Sequence, residues 1–272
     1  MRSGMLRAPM PSPFARRVVP AFAIAASLLL TVVAALAQPH AAAGRPYTGP
    51  RTADGKPDLS GIWQVMNAAH WDLEPHSAAD GVPGGLGVVE GDLIPYQPWA
   101  AAKKKENYEN RATLDPLHKC YLPGVPRITY VPFPFQIAQT PKYVVVSYEY
   151  AHAGRIIYTD GSPHPPPNDF WMGDSRGRWE KDTLVVDVTQ FNGRTWFDMA
   201  GNFHSDALHV VERYTPLESG QVMHYEATIE DPKVFTRPWK ISMPIYRRAE
   251  KNLQLLDHDC VDMFWLRMRP AR

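Results

Sequence analysis

The sequence has no excess of charge of either sign. Its 272 residues include 29 Lys and Arg against 28 Asp and Glu. The first 37 residues hold four arginines and no acidic residue, so the rest of the chain carries 25 basic and 28 acidic side chains. A protein that binds nucleic acid needs a basic surface to neutralise phosphates. The charge balance therefore argues against nucleic acid as a partner.

Long apolar runs are absent after residue 37. Before it, two adjacent arginines precede an apolar run from Val18 to Ala37 that ends in an Ala-Leu-Ala triplet. This is the pattern of a cleavable export signal, although 20 apolar residues would also suffice for an N-terminal anchor. Pro20 and the small residues at the end favour cleavage. We expect a signal peptide over residues 1–37, a periplasmic or secreted protein, and no membrane span after cleavage.

Cysteine is scarce, with only Cys120 and Cys260 in the chain. An even number of cysteines in an exported protein predicts one disulfide, and two buried free thiols are the alternative. The disulfide would close a loop of about 140 residues, which is worth roughly 4–5 kcal/mol in the chain-entropy model. Neither cysteine lies in a CxxC pair, so cysteine catalysis is not expected.

Long helical patterns are also lacking, because proline accounts for 27 residues and opposes helices. Only Trp99–Asn110 has the composition of a helix. Residues 38–57 are rich in Ala, Gly and Pro and predict a disordered leader. Neither a glycine-rich phosphate loop nor a dinucleotide fingerprint occurs.

Short strand-like runs occupy most of the chain after Tyr130. They are rich in β-branched and aromatic residues and are bounded by turn formers. Consecutive strands without helices between them predict a mainly β fold, an antiparallel up-and-down barrel or open sandwich with one short helix. We expect one domain over residues 58–272, with an irregular, partly helical insertion at 67–130. The predicted strands are 61–66, 135–140, 143–150, 155–159, 183–190, 207–214, 222–230, 239–247 and 253–260.

The hairpin of the runs 207–214 and 222–230 has one apolar face and one polar face. Pairing Tyr214 with Met223 and Glu212 with Tyr225 places Leu208, Val210, Ala227 and Ile229 on the same inner face. Glu212 is the only charged residue there, and a buried carboxylate needs a partner or a proton. Two interpretations follow, an ion pair with Arg237 or Arg194, or a pocket group that acts as acid, base or ligand anchor.

The catalytic alternative extends the same period of two backwards to Asp206 and His204. His204 and Glu212 would then form an acid/base pair of a lyase, isomerase or hydrolase, with Asp206, Tyr225 or Asp187 assisting. Ser205 would point away from His204, and no GxSxG motif occurs, so a serine hydrolase is not expected. The ten histidines match neither HExxH nor a zinc-finger spacing. No metal site is predicted, and no cofactor can be named.

Aromatic and arginine side chains suggest a pocket for a small apolar or aromatic molecule, which is the leading functional interpretation. Core packing and surface stacking are the alternative for these residues. A cell-envelope interaction module, with the polar hairpin face against a partner, is a third interpretation. The candidate ligand-binding residues are Trp171, Arg176, Trp179, Trp196, Phe203, Tyr214 and Tyr225.

The chain has two resemblances to known families, and the first of them bears on the fold. The run Asp58-Leu59-Ser60-Gly61-Ile62-Trp63 resembles the G-x-W opening of lipocalin-like (calycin) barrels. That resemblance implies that Trp63 closes one end of a barrel and packs on an arginine of a late strand, for which Arg267 or Arg269 is the candidate.

The chain also resembles a family of secreted bacterial proteins of uncharacterised function with a DLSGxW opening. The likeness rests on residues 55–63, 120–127 and 177–188 and on the late cysteine Cys260. It supports the disulfide and implies no activity.

Overall fold

Nine strands form a closed barrel in the part of the chain that the computed structural model describes, residues 46–79 and 81–260. β1 pairs with both β2 and β9, which closes the barrel. The predicted mainly β barrel is confirmed. The predicted signal peptide, residues 1–37, lies outside the described residues. The strands are β1 (Gly61–Val65), β2 (Phe135–Gln139), β3 (Tyr143–Tyr148), β4 (Gly154–Tyr158), β5 (Asp174–Glu180), β6 (Thr183–Thr189), β7 (His209–Leu217), β8 (Val222–Glu230) and β9 (Trp239–Arg247).

Neighbouring strands are antiparallel except at one seam, between β4 and β5. These two strands run parallel and share two residue pairs, Ile157 with Ser175 and Tyr158 with Arg176. Parallel neighbours require a crossover connection, and here residues 159–173 provide it. The crossover contains the proline-rich stretch 163–167, whose prolines have no N–H to donate to a strand ladder. The up-and-down order of the barrel is thus interrupted once.

The strands differ from the predicted set at two places. β5 was not expected, because Asp-Ser-Arg-Gly-Arg-Trp-Glu is polar and contains a glycine, yet it forms seven residue pairs with β6. The strand predicted over Leu253–Cys260 is wrong. That segment forms a single bridge, His258 with Tyr150, and the disulfide holds its end.

The insertion, residues 67–130, carries the helices of the described chain. They are α1 (Pro98–Glu109), α2 (Arg111–Leu114), a 3-10 helix (Pro116–Lys119) and α3 (Arg127–Tyr130). α1 begins at Pro98, whose fixed φ suits the first helical turn, and it lies within one residue of the predicted helix. Within residues 46–79 and 81–260, no helix is both long and apolar enough to cross a membrane.

The hairpin of β7 and β8 confirms the predicted sorting of faces but not the predicted register. Tyr214 pairs with Tyr225 and Val210 with Ile229, so the pairing is two residues away from the predicted one. The strand β7 continues through Pro216, where it pairs with β8 alone and the missing N–H is tolerated at a free edge. A shift of two residues keeps every side chain on its face. All the inner-face residues, Glu212 included, are therefore buried.

At one end of the sheet, Arg247 packs against Trp63 and Gly61. The Arg247 guanidinium lies 4.3 Å from the centroid of the buried Trp63 ring. It also donates to the carbonyl oxygens of Gly220 and Asp58, at 2.9 and 3.2 Å. Gly61 has a φ of +131°, and a Cβ there would lie 2.5 Å from the Arg247 Nη1. Arg247 thus contacts Trp63 as the predicted late-strand arginine would, whereas Arg267 and Arg269 lie outside the described residues.

The disulfide between Cys120 and Cys260 is present, with 5.5 Å between the Cα atoms. It ties the insertion to the last described residues. At the other end of the described chain, residues 46–57 fall within the predicted leader but contact the barrel. The Thr48 amide donates to the Glu218 carbonyl at 2.8 Å, and Arg51 forms an ion pair with Asp182 at 2.8 Å. Residues 38–45 of that leader lie outside the described residues.

Candidate functional site

Glu212 forms a buried ion pair with Arg155. The two guanidinium Nη atoms of Arg155 each contact one carboxylate oxygen of Glu212. The Tyr214 and Tyr225 hydroxyls both donate to Glu212 Oε1, at 2.8 Å each. Arg155 lies on β4 and Glu212 on β7, which are not neighbours in the sheet. The pair therefore joins two separate walls of the barrel.

The predicted partners of Glu212 are wrong. Arg194 and Arg237 are both exposed, and the pairing arginine is Arg155. Burial by itself would lower the pKa of Arg155, but the charge of Glu212, its hydrogen bond and the neighbouring tyrosines together outweigh burial and raise the pKa well above its usual value. Burial and the same carboxylate raise the pKa values of Tyr214 and Tyr225, so both phenols remain donors. Glu212 thus accepts from four donors of the protein itself, three of them on Oε1, and its side chain is fully buried.

The three residues of the predicted catalytic set are not brought together by any contact in the described chain. Glu212 is bound as above, His204 has Thr195 and Ser205 as partners, and Asp206 is exposed and bound to Lys233 at 2.7 Å. The strand β7 begins only at His209, so the period of two does not extend back to residues 204 and 206. Asp187, the assisting carboxylate of the prediction, accepts from His209 at 2.5 Å on the outer face of the barrel.

His204 is instead part of a cleft of about 340 Å³ between the insertion and the segment 193–204. We call it the His204 cleft. Four elements line it: α1, the end of α2, the 3-10 helix with Tyr121, and the loop before β7. The lining residues are Lys103, Asn107, Leu114, Pro116, Lys119, Tyr121, Gly193, Arg194, Thr195, Trp196, Phe203 and His204.

At the base of the His204 cleft, both ring nitrogens of His204 are hydrogen-bonded within the protein. The His204 Nδ1 donates to the Ser205 carbonyl at 2.8 Å, which leaves Nε2 to accept from the Thr195 hydroxyl at 2.6 Å. Burial lowers the pKa of His204, so the imidazole is neutral at neutral pH. Gly124, with a φ of +77°, lies against this hydroxyl, and a Cβ there would be 2.4 Å from the Thr195 Oγ1. The close packing restricts access to the hydroxyl.

Aromatic side chains form the walls of the His204 cleft. Trp196 and Phe203 are joined by a backbone bridge, so their side chains belong to one short ribbon. Tyr121 lies on the other side, and its ring packs 4.8 Å from that of Trp171. Stacked and tilted rings at such distances attract each other beyond simple burial. The cleft therefore offers flat apolar surface.

The rim of the same cleft is cationic. Lys103 is already paired with Glu106 at 2.8 Å. Lys119 and Arg194 are exposed, and no ion pair with either is formed by the acidic residues that the structure describes. A free guanidinium and a free ammonium at the opening favour an anionic group on a bound molecule.

The other predicted ligand-binding residues lie elsewhere. Arg176 is bound to Asp174 and lies over the Tyr158 ring at 4.4 Å, away from the cleft lining. Trp179 packs partly buried against the core from β5, and Tyr214 and Tyr225 hold Glu212. The structure thus gathers Trp196, Phe203 and His204 at one site, with Trp171 behind Tyr121.

The cleft also contains residues that the sequence did not single out. Lys119, Tyr121 and Thr195 come from an irregular part of the chain, where no period relates residue number to direction. The structure also shows no group of three or more His, Cys, Asp or Glu residues suited to hold a metal ion within residues 46–79 and 81–260.

The described residues form a closed nine-stranded β-barrel, and a cleft lies between the insertion and the loop before β7. No protein-family model matches the chain, and neither a curated protein nor a solved structure is significantly similar to it.

Proposed function

We propose that this protein is an exported β-barrel that binds a small aromatic molecule carrying an acidic group, in the His204 cleft. The observation that supports the proposal is the combination of aromatic walls with Arg194 and Lys119 at the rim, neither of which forms an ion pair within the described residues. Export is supported by the signal-like residues 1–37 and by the disulfide.

The size of the cleft fits such a ligand. About 340 Å³ lies at the lower end of the range for small-molecule pockets, which suits one or two fused rings. A ring between Trp196 and Tyr121 would bury apolar surface, and a carboxylate at the opening would remain near Arg194. Binding rather than catalysis is favoured because Glu212 is buried and held by Arg155 and two tyrosines, and both ring nitrogens of His204 are hydrogen-bonded within the protein.

A titration with 2-naphthoate and with 2-naphthamide, its uncharged analogue, tests the proposal. We expect 2-naphthoate to quench tryptophan fluorescence with the higher affinity. Arg194→Gln should weaken naphthoate binding about three- to fivefold, as expected for the loss of a partly exposed ion pair, and should leave naphthamide binding unchanged. Added salt should reduce the difference between the two ligands.

Arg237→Gln is the matched control, because Arg237 is exposed and lies outside the cleft lining. It should not change the affinity for either ligand. Equal affinities for naphthoate and naphthamide, an equal effect of both arginine variants, or no binding of either ligand would contradict the proposed function.

A further inference from the structure

A second cleft, also of about 340 Å³, lies where the disulfide joins the insertion to the last described residues. We call it the disulfide cleft. It shares no lining residue with the His204 cleft. Its wall includes three histidines and two other aromatic rings together with one sulfur of the disulfide. The residues that matter for its chemistry are His70, His118, Phe133, Tyr150, His258 and Cys260.

One wall of the disulfide cleft is a cluster of three rings. The His258 imidazole lies 4.2 Å from the centroid of Phe133 and 5.8 Å from that of Tyr150, and the latter two rings are 5.7 Å apart. All three pairs are tilted. Such an arrangement leaves room for a further ring to pack by its face or edge. The wall therefore favours an aromatic ligand over a flexible chain.

The histidines of the cleft have unused hydrogen-bonding capacity. The His118 Nδ1 donates to the Ala112 carbonyl at 3.1 Å, so the lone pair of a neutral His118 is on Nε2. Within the described residues, neither this Nε2 nor the His258 ring has a hydrogen-bond partner. His70 is buried, and its Nδ1 is enclosed without a partner. Buried polar atoms in folded proteins are nearly always paired, so the His70 Nδ1 marks a place for a polar group. His118 and His258 are half-buried, and their nitrogens are accessible to a ligand in the cleft.

The charge of the cleft disfavours an anionic ligand. Burial, with a contribution from Arg127, lowers the pKa of His70 to about 3, so its ring is neutral. Among the described residues, the only carboxylate in the lining is that of Asp259, which accepts from His152 at 3.0 Å. The Asp259 carboxylate would repel an anion. The cationic residues that line the His204 cleft are not part of this lining. A hydrocarbon would leave the imidazole nitrogens dry and unpaired.

We propose that the disulfide cleft binds an uncharged phenolic ring, whose face packs on Phe133 and His258 and whose hydroxyl donates to the His118 Nε2. A phenol matches both features of the cleft: its ring can pack on the aromatic wall, and its hydroxyl can hydrogen-bond to a histidine. The site is independent of the His204 cleft and of the function proposed for it.

Isothermal titration of the full oxidised chain with phenol, toluene and benzoate tests this proposal. Phenol should bind about five- to tenfold more tightly than toluene, which corresponds to one hydrogen bond of about 1 kcal/mol. Benzoate should bind more weakly than phenol. In ¹⁵N spectra, the His118 Nε2 resonance should shift on addition of phenol and remain unchanged with toluene.

His118→Phe keeps a ring in the wall and removes the acceptor, so phenol affinity should fall to that of toluene. His224→Phe is the matched control on the outer face of β8 and should change neither affinity. The ¹⁵N measurement on the unaltered protein tests the contact even if His118→Phe fails to fold. Equal affinity for phenol and toluene, an unshifted His118 resonance, or an equal effect of both histidine variants would overturn the proposal. Phenol binding that requires removal of the residues after Cys260 would also overturn it, because the chain itself would then be the occupant.

Discussion

Arg155 and Glu212 show at the residue scale why a buried charge is tolerated inside this barrel. Two charges taken out of water cost several kcal/mol each, and their attraction offsets this only when the geometry is good and the remaining lone pairs are satisfied. Here the guanidinium of Arg155 contacts both carboxylate oxygens of Glu212. Two tyrosine hydroxyls also donate to the carboxylate, and the Arg155 Nε donates to Ser175. Each charge is therefore stable only in the presence of the other.

Glu212→Gln should lower the free energy of unfolding by about 3–5 kcal/mol, because it leaves the Arg155 charge buried and unpaired. Urea denaturation measures the effect. Glu226→Gln is the control, since Glu226 lies on the outer face of the same hairpin, and it should change stability by less than about 0.5 kcal/mol. The double variant Arg155→Met with Glu212→Leu should recover much of the loss. A single variant as stable as the control would show that Arg155 finds another partner or water.

Because His70 is buried and neutral, the free energy of unfolding should decrease in acid. The pKa of His70 is lowered from 6.5 to about 3, so between these values the unfolded chain binds a proton that the folded chain does not. Stability is therefore complete above pH 6.5 and falls as the pH drops toward 3. At pH 5, this difference in proton binding lowers the free energy of unfolding by about 2 kcal/mol relative to its value at neutral pH.

His70→Gln, which is neutral at every pH, should flatten this part of the stability profile relative to its own value at pH 7. Urea midpoints between pH 4 and 7 give the comparison. His224→Gln, at an exposed histidine, should retain the slope of the parent protein. An unchanged slope in the His70 variant would mean that His70 is protonated in the fold.

At the scale of the element, the seam between β4 and β5 is the least extensive of the strand pairings. It has two residue pairs, whereas β7 and β8 share nine. Parallel pairing is also slightly less stable per residue than antiparallel pairing. The side chains of Arg155 and Ile157 support this seam from the interior, where both are buried.

Hydrogen exchange should therefore begin at this seam. We expect the amides of β4 that face β5 to exchange about tenfold or more faster than those in the centre of the β7–β8 hairpin, because opening the seam breaks the fewest ladder bonds. Mass spectrometry of peptides from residues 154–158 and 222–230 measures the ratio. Equal protection would show that the barrel opens only as a whole.

The strands β5, β7 and β8 show which features of the fold could be predicted from the sequence pattern. The faces of β7 and β8 follow from a period of two, which a register error of two residues does not disturb. β5 was missed because its residues have low strand propensity and it is stabilised by pairing with β6. The partner of Glu212 was missed because a contact between non-neighbouring walls depends on barrel closure, which no local pattern records.

At the scale of the whole molecule, the barrel and the clefts were predictable to different degrees. Short strands in succession and the Gly61–Trp63 opening indicated a barrel, and an even number of cysteines behind an expected export signal indicated the disulfide. The clefts combine the insertion with loops far along the chain. Helices of four residues and irregular turns have no periodicity, so the sequence named Trp196, Phe203 and His204 but not the residues opposite them.

The pair of Arg155 and Glu212 has a further consequence for how such a protein can diversify. It occupies the interior with fixed charges, so a new ligand cannot enter the lumen without dismantling a stabilising contact. The two clefts lie outside, and both take part of their lining from the insertion. Substitutions at the cleft-facing positions of the insertion should therefore alter binding of the ligands proposed above while the strands stay the same. The insertion also contributes Leu73, Leu117 and Ile128 to the core, so only its cleft-facing positions are free to change in this way.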